Sequence, residues 1–458
     1  MIAIRKLELV AFVAAAWGLV GSAPSFAQDG ESGDALTREE FAEFLEEYRI
    51  FKTEHQTVVR ENVSLQRDLT ALKAEMSALR EENRQADFDR ASAAETAALV
   101  ERLREEFDAK LDPLLPGLTN ITLGGGAVAG YQNRENVDST FGVGLAPILL
   151  WQPSDRWLFE TEIAFVLSEE DSEVELDYAQ ISYLVNDYLT IGAGKFLMPF
   201  GAFWERWHPS WINKLPTMPL IYERGLMGQT GIGVQVRGGV PIGSMKINYA
   251  AYVINGPEFR TSFASAGMLG FGNHRDSNNN KAFGGRIGFQ PTAELELGFS
   301  LLSGRAGESG SEFSGVDTVI TGIDLMYSRE IAAIKGRLDL RAEAIWVDTD
   351  NVIFTGPFDP FTFDNKRNGW FAQVAYRPTL VDVRLGDDFE LKNLEFVARY
   401  DQLRQQGAGD RGVDRDQFTF GLDYWVKPNV VLKVAYLFDN AHGAEDENGF
   451  FVQMAIGL

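Results

Sequence analysis

From residue 118 to residue 458 apolar and polar positions alternate with a period of two. Trp157, Phe159, Ile163, Phe165 and Leu167 interleave with Glu160, Glu162 and Ala164. Leu338, Leu340, Ala342, Ala344 and Trp346 interleave with Arg337, Asp339, Arg341 and Glu343. Phe418, Phe420, Leu422 and Tyr424 alternate with Thr419, Gly421 and Asp423, and Val430 to Phe438 with Lys433 and Asp439. Such alternation predicts strands with one apolar face. The predicted strands are 119–133, 139–152, 156–168, 173–186, 187–197, 229–241, 242–255, 282–291, 293–305, 316–330, 331–348, 368–378, 392–405, 414–427, 428–440 and 447–458. Runs of roughly ten to fourteen residues exceed the usual globular strand and suit tilted strands crossing a bilayer. The expected fold is an all-β transmembrane barrel of about 16 antiparallel strands over 118–458. Asn186-Asp187, Pro241-Ile242 and Lys427-Pro428-Asn429 read as short turns, and 256–281, 304–315, 349–367 and 407–415 as long polar loops. Trp151, Trp157, Tyr188, Trp346, Trp370 and Trp425 fall near strand ends, where interfacial aromatic girdles belong.

One connection is of another kind. Between the strands ending at Phe196 and beginning near Gly231 lies Met198-Pro199-Phe200-Gly201, then an aromatic and charged run from Ala202 to Trp211, then Asn213 to Pro216 and Glu223-Arg224-Gly225. A connection this long is functional or disordered, and its tryptophans argue for order. It is expected to fold back into the lumen and narrow it.

The amino-terminal part has a different period. Arg5 and Lys6, the apolar run Leu9 to Val20 and Ser25-Phe26-Ala27 read as a secretory signal peptide over 1–27. From Phe41, through Phe44, Tyr48, Phe51, His55, Val58, Asn62, Leu65, Leu69, Leu72, Met76 and Leu79, apolar residues recur at heptad positions with charged flanks. Thr37-Arg38-Glu39-Glu40 is a capping box, and Asp112-Pro113 and Pro116-Gly117 stop the helix. The expectation for 36–112 is a periplasmic α-helical coiled coil; a single amphipathic helix packed on another domain is the alternative. The pattern does not choose between dimer and trimer.

Composition narrows the function classes. Absence of cysteine excludes disulfides, thiolate metal sites and a cysteine nucleophile. A net charge of −24 opposes a nucleic-acid partner. The 4 histidines (55, 208, 274 and 442) are too scattered for a metal cluster, and no cofactor is expected. Gly124 to Gly130 resembles a dinucleotide turn only by glycine count, since it opens a strand. Asn273 to Asn280 reads as a solvated loop before a Ca²⁺ site. Nothing sets Ser, His and Asp together, so no enzyme is expected; a rim hydrolase would have to use His208, His274 or His442.

An ordered series of fragments carries a resemblance: Gly194-Lys195-Phe196-Leu197-Met198-Pro199-Phe200-Gly201, Glu223-Arg224, Gly233 to Gly238, Tyr249 to Pro257, and Gly285-Arg286-Ile287-Gly288-Phe289-Gln290-Pro291. The chain resembles the phosphate-selective porin O and P family and its trimeric relatives with an amino-terminal coiled coil. Where the family pattern places a lysine after the first phenylalanine, this chain has Leu197, with its lysine at Lys195. The resemblance implies an outer-membrane homotrimer of barrels in which each pore is narrowed by an infolded loop.

The polar parity must face the lumen, because a cation on the lipid face costs about 2–4 kcal/mol at the midplane. That assigns Glu160, Glu162, Glu175, Asp177, Arg237, Lys246, Glu294, Glu296, Arg337, Arg341, Glu343, Glu395, Arg399 and Lys433 to a lumen wall of mixed sign. The candidate constriction and solute-binding residues are Glu205, Arg206, His208, Lys214, Glu223, Arg224, Arg237, Arg337, Arg341 and Arg399. Two arrangements stay open. In one, Arg206, Lys214, Arg224 and Arg237 form a basic cluster for small anions. In the other, Glu205 and Glu223 pair with Arg206 and Arg224 and pin the loop. Trp204, Trp207 and Trp211 read as packing anchors. The functional expectation is a general or mildly anion-preferring porin, with passive diffusion of small hydrophilic solutes. The rival is a structural tether from the outer membrane to peptidoglycan.

Overall fold

The computed structural model describes residues 120–167, 172–355, 360–385, 389–406 and 412–457. The signal segment 1–27 and the coiled coil 36–112 lie outside the described residues.

The strands are β1 (Ile121–Arg134), β2 (Thr140–Ser154), β3 (Trp157–Leu167), β4 (Ser172–Asn186), β5 (Leu189–Leu197), β6 (Thr230–Ile242), β7 (Met245–Asn255), β8 (Glu258–Phe259), β9 (Leu269–Gly270), β10 (Lys281–Thr292), β11 (Leu295–Arg305), β12 (Asp317–Ile331), β13 (Gly336–Thr349), β14 (Lys366–Arg377), β15 (Arg384–Leu385), β16 (Phe389–Glu390), β17 (Leu394–Gln405), β18 (Asp414–Lys427), β19 (Val430–His442) and β20 (Gly449–Gly457). Sixteen of them form one closed antiparallel barrel in chain order, with β20 paired back to β1. These are the sixteen expected from alternation, with ends moved by a few residues. The β6–β7 turn, for example, lies at 243–244, just after Ile242. The pairs β8–β9 and β15–β16 are small hairpins within connections.

Alternation is what closes the barrel with one apolar surface. On β10 and β11, Phe283, Ile287, Phe299 and Leu301 are exposed while Arg286, Glu296 and Ser300 between them are buried. On β18 and β19, Phe420 and Phe438 are exposed while Thr419, Asp423 and Lys433 are buried. A slip of one residue would exchange the two faces, so burial of the charges fixes the register. Exposed apolar side chains over most of a barrel surface form a band suited to lipid.

Three local features depart from simple alternation. Asp177 is the extra residue of a bulge, since Glu162 faces Tyr178 and Ile163 faces Leu176. Trp425 does not join an outer girdle with Trp151, Trp157, Tyr188, Trp346 and Trp370, which are exposed. Its Nε1 donates to Glu395 Oε2 at 2.9 Å, and Arg377 lies over its ring. The connection 378–393 lies at the short-turn end yet builds its own hairpin, β15–β16. Both the start of β1 and the end of β20 lie at that same end, as an even strand number requires. The insert between β5 and β6 occupies the lumen and supplies much of the buried core, including Phe200, Phe203, Trp207, Leu220 and Ile221.

Candidate functional site: an insert held inside the lumen

The insert spans 198–229 and has little regular structure: a π-helical turn at Phe203–Trp207 and one helical turn, α1 (Leu220–Glu223). Its buried backbone therefore needs partners from elsewhere. Wall carboxylates take its amides. Glu343 Oε1 accepts from the N–H of Ala202 at 2.5 Å and of Phe203 at 2.8 Å, where the π turn starts. Glu343 Oε2 accepts from the Tyr222 hydroxyl. Asp401 accepts from Leu220 N–H at 2.9 Å, at the start of α1, and Ser300 Oγ from Gly201 N–H at 3.0 Å. Both carboxylates sit where helical turns leave their first N–H groups free.

Wall cations take its carbonyls. Arg399 donates to Thr217 O and Oγ1, both at 2.9 Å, and to Met218 O at 2.8 Å, while Asp401 holds its Nε at 2.7 Å. Arg341 donates to Ile212 O at 3.2 Å, pairs with Asp339 and lies over the Trp207 ring. Lys433 donates to the carbonyls of Ser210 and Asn213. Lys214 donates to Glu395 at 2.6 Å.

Aromatic packing completes the attachment. Phe203 stacks on Tyr222 at 4.8 Å, Trp204 meets both rings edge-on, and Trp207 meets Phe371. Trp211 lies against Gly126 and Gly457, the last pair of the β1–β20 seam, so closely that a Cβ at Gly126 would come within 2.0 Å of its ring. Glycine at both positions is a space requirement of that ring. The tryptophans are thus packed, as their anchor reading had it.

All the charged candidates except Arg337 are within this assembly, but not as either expected arrangement. Arg206 pairs with Glu296 at 2.8 Å, and Arg237 with Glu205 at 2.8 Å. Glu223 pairs with Arg134 at 3.1 Å, and Arg224 with Glu447 at 3.1 Å. The insert's acids do not pair with the arginines beside them in sequence; each pairs with the wall. Nor do Arg206, Lys214, Arg224 and Arg237 make one basic cluster, since each has its own carboxylate. Arg337 is exposed at the short-turn end of β13, opposite Arg377. The partners Asp401, Asp339, Arg134 and Glu447, and Arg286 behind Glu296, were not among the sequence candidates. Their lumenal parity was legible, but a cross-barrel contact leaves no local pattern.

Two sequence candidates close on inspection. In the asparagine-rich loop, Asp276 is held by Lys281 and accepts from Asn278 N–H, and Asn278 accepts from Asn280 N–H. Those oxygens serve the turn. His442 does pair with Asp416 at 2.9 Å, but the same carboxylate takes both Nη2 bonds of Arg404, the Tyr400 hydroxyl and the Gln402 amide. That is a clamp across β17, β18 and β19.

No family model matches the chain, and no curated protein matches it. Among solved structures it is similar to Salmonella typhi OmpF in complex with daunomycin: 12% identity, TM-score 0.47, covering 74% of this chain and 97% of that one. It is similar to the anion-selective porin from Comamonas acidovorans: 12% identity, TM-score 0.45, covering 74% and 99%. The outer membrane channel DcaP of Acinetobacter baumannii gives 12% identity and a TM-score of 0.45 over 74% and 97%. Scores this low transfer nothing from those proteins, and the barrel stands on its own strand pairing.

Removing Glu343 leaves two buried amides and a hydroxyl without an acceptor, each at about 1–3 kcal/mol. Glu343→Ala is therefore expected to free the insert, so that trypsin cuts folded barrels after Arg206 or Lys214. Glu343→Gln, which keeps acceptor oxygen, is expected to cut more slowly, and equal resistance of wild type and E343A would refute the anchoring role. His208 gives a pH signature. Burial beside Trp204 lowers its pKa from 6.5 to about 4. The insert then favours neutral imidazole, and its docking weakens as pH falls from about 6.5 towards 4. The fluorescence difference between wild type and H208Q should titrate near pH 4; a midpoint near 6.5 would contradict the burial.

Proposed function

We propose that the protein is an outer-membrane porin-type channel that passes small hydrophilic solutes, anions included, by diffusion through a lumen narrowed by residues 198–229. The observation that carries this reading is a pair of cavities beside the insert. One, of about 490 Å³, is lined by Arg237, Gly239, Lys246, Arg286 and Glu296; the other, of about 250 Å³, by Glu160, Gln180 and Gln235. Both are also lined by Glu205 and Arg206, and the second shares Arg237, so these three side chains stand where the two spaces adjoin. The remainder of the insert is packed against β11 to β20 and against β1, which leaves the side from β3 to β10 as the route. The lipid-suited exterior supports a membrane setting, and the compensated charges along the route support only a mild ion preference.

The assembly proposed is a homotrimer in outer-membrane lipid, with 36–112 clamping three subunits in the periplasm. Purified protein in planar bilayers should open in steps of three with a mild anion preference in a salt gradient. Strong cation preference would sink the anion part, and a non-conducting barrel the whole reading. Deleting 36–112 tests the clamp against the peptidoglycan tether. A clamp loses the threefold steps, whereas a tether keeps them and loosens the envelope.

A further inference from the structure

One wall of the lumen breaks the rule that polar side chains face inwards. Gly126, against which Trp211 packs, marks the inner face of β1, and Val128 and Gly130 share it. In register Gly126 stands opposite Ala146, Val128 opposite Gly144 and Gly130 opposite Gly142. On the other side of β2, Gly144 stands opposite Val166, Ile148 opposite Glu162 and Leu150 opposite Glu160. The inner face of β2 therefore reads Gly142, Gly144, Ala146, Ile148, Leu150, with no polar side chain. Elsewhere the apolar lumenal groups, such as Ile345, Phe371 and Leu403, are buried in one cluster with the insert. Here Val166 is 46% exposed, and Ile148 and Leu150 are only half-buried. At the end away from the short turns this wall borders a cavity of about 280 Å³, lined by Val128, Gly130, Gly142, Gly144, Val166 and, from the insert, Pro216. None of its lining residues is charged. Arg134, over the ring of Phe451 in the same lining, is spent on Glu223 at 3.1 Å. A Cβ on Gly142 would meet nothing within 4 Å, so the open ground there serves no packed side chain.

We infer that this wall is a subsite for the hydrocarbon part of an amphiphilic solute, a short alkyl chain carrying a polar head. The inference rests on the channel reading and adds a class of solute to it. The distribution of charge sets the occupant. Below the uncharged cavity, Ile148 and Leu150 run beside Glu162 and Glu160, and Glu160 lines the 250 Å³ cavity together with Gln180 and Arg237. A chain lying along β2 keeps its methylenes on the apolar strand while its head meets the amide and charged groups of the adjoining space. A bare ion finds no partner on β2, and a plain hydrocarbon leaves the polar groups opposite it without water. A solute with both parts satisfies both walls.

The test is block of KCl current through the purified full-length channel by sodium alkanesulfonates of one to six carbons, whose head is constant and stays ionised. Full burial of a methylene is worth about a fourfold gain in affinity, and a cavity open on one side should give about twofold. Hexanesulfonate is therefore expected to half-block at a concentration about tenfold or more below that of methanesulfonate. Gly142→Asn and Val166→Asn place an amide on the apolar wall. Each should abolish the dependence on chain length while leaving block by methanesulfonate unchanged, and unitary conductance reports that the variant barrels are folded. A conducting wild type whose block ignores chain length, or a chain-length dependence that survives both variants, overturns the subsite alone. A wild type that carries no current removes the channel reading and this subsite with it.

Discussion

A segment with almost no regular structure cannot be buried unless its amides and carbonyls find partners. In this barrel the partners are carboxyl, guanidinium and ammonium side chains of the wall, and everything else about the lumen follows from that demand. Glu343 and Asp401 hold amides where the two helical turns of the insert begin. Arg399, Arg341 and Lys433 between them hold the carbonyls of Ser210, Ile212, Asn213, Thr217 and Met218. The mixed sign of the wall is therefore matched to the polarity of a backbone. A wall of one sign would satisfy either the donors or the acceptors of the insert, but not both.

This use of charge also explains why the insert lies to one side. Strands β11, β13, β17 and β19 carry the groups that bind it, and there the lumenal side chains are almost wholly buried. The side from β3 to β10 offers fewer such contacts and retains the open space. Charge pairs bordering that space, Arg206–Glu296 and Arg237–Glu205, tie the same segment where solvent reaches it. Buried pairs such as Lys214–Glu395 add little net stability over apolar packing, but breaking one strands its partner. They determine where the insert sits more than how tightly the barrel holds together.

The barrel was legible in the sequence because an apolar outer surface and a polar, charged lumen force every strand to alternate. Length and parity together gave all sixteen strands. Parity failed where the chain carries an extra residue, at Asp177, and where an aromatic found a lumenal partner, at Trp425. The location of the insert was legible from its length and its tryptophans. Its contacts were not. Glu205 and Arg206 are sequence neighbours, and adjacency suggested that such residues pair. Around a tight turn they instead point to different strands, and Glu296 lies 90 residues from Arg206. Pairing across a closed barrel depends on which strands face one another, which no local pattern encodes.

The contrast between Arg399 and Arg237 shows how one residue type serves two ends in this lumen. Arg399 is fully buried, has three bonds to the insert and a fourth to Asp401, and its one remaining N–H is shut away from solvent. Arg237 has one carboxylate and an open face. Sequence places both on the lumenal parity and distinguishes them in no other way. What separates them is the remaining hydrogen-bonding capacity of each guanidinium once the insert has docked. By that measure Lys433, Arg341 and Arg399 belong to the scaffold, and the free hydrogen-bonding capacity facing the open space lies with the groups the docked backbone leaves unsaturated.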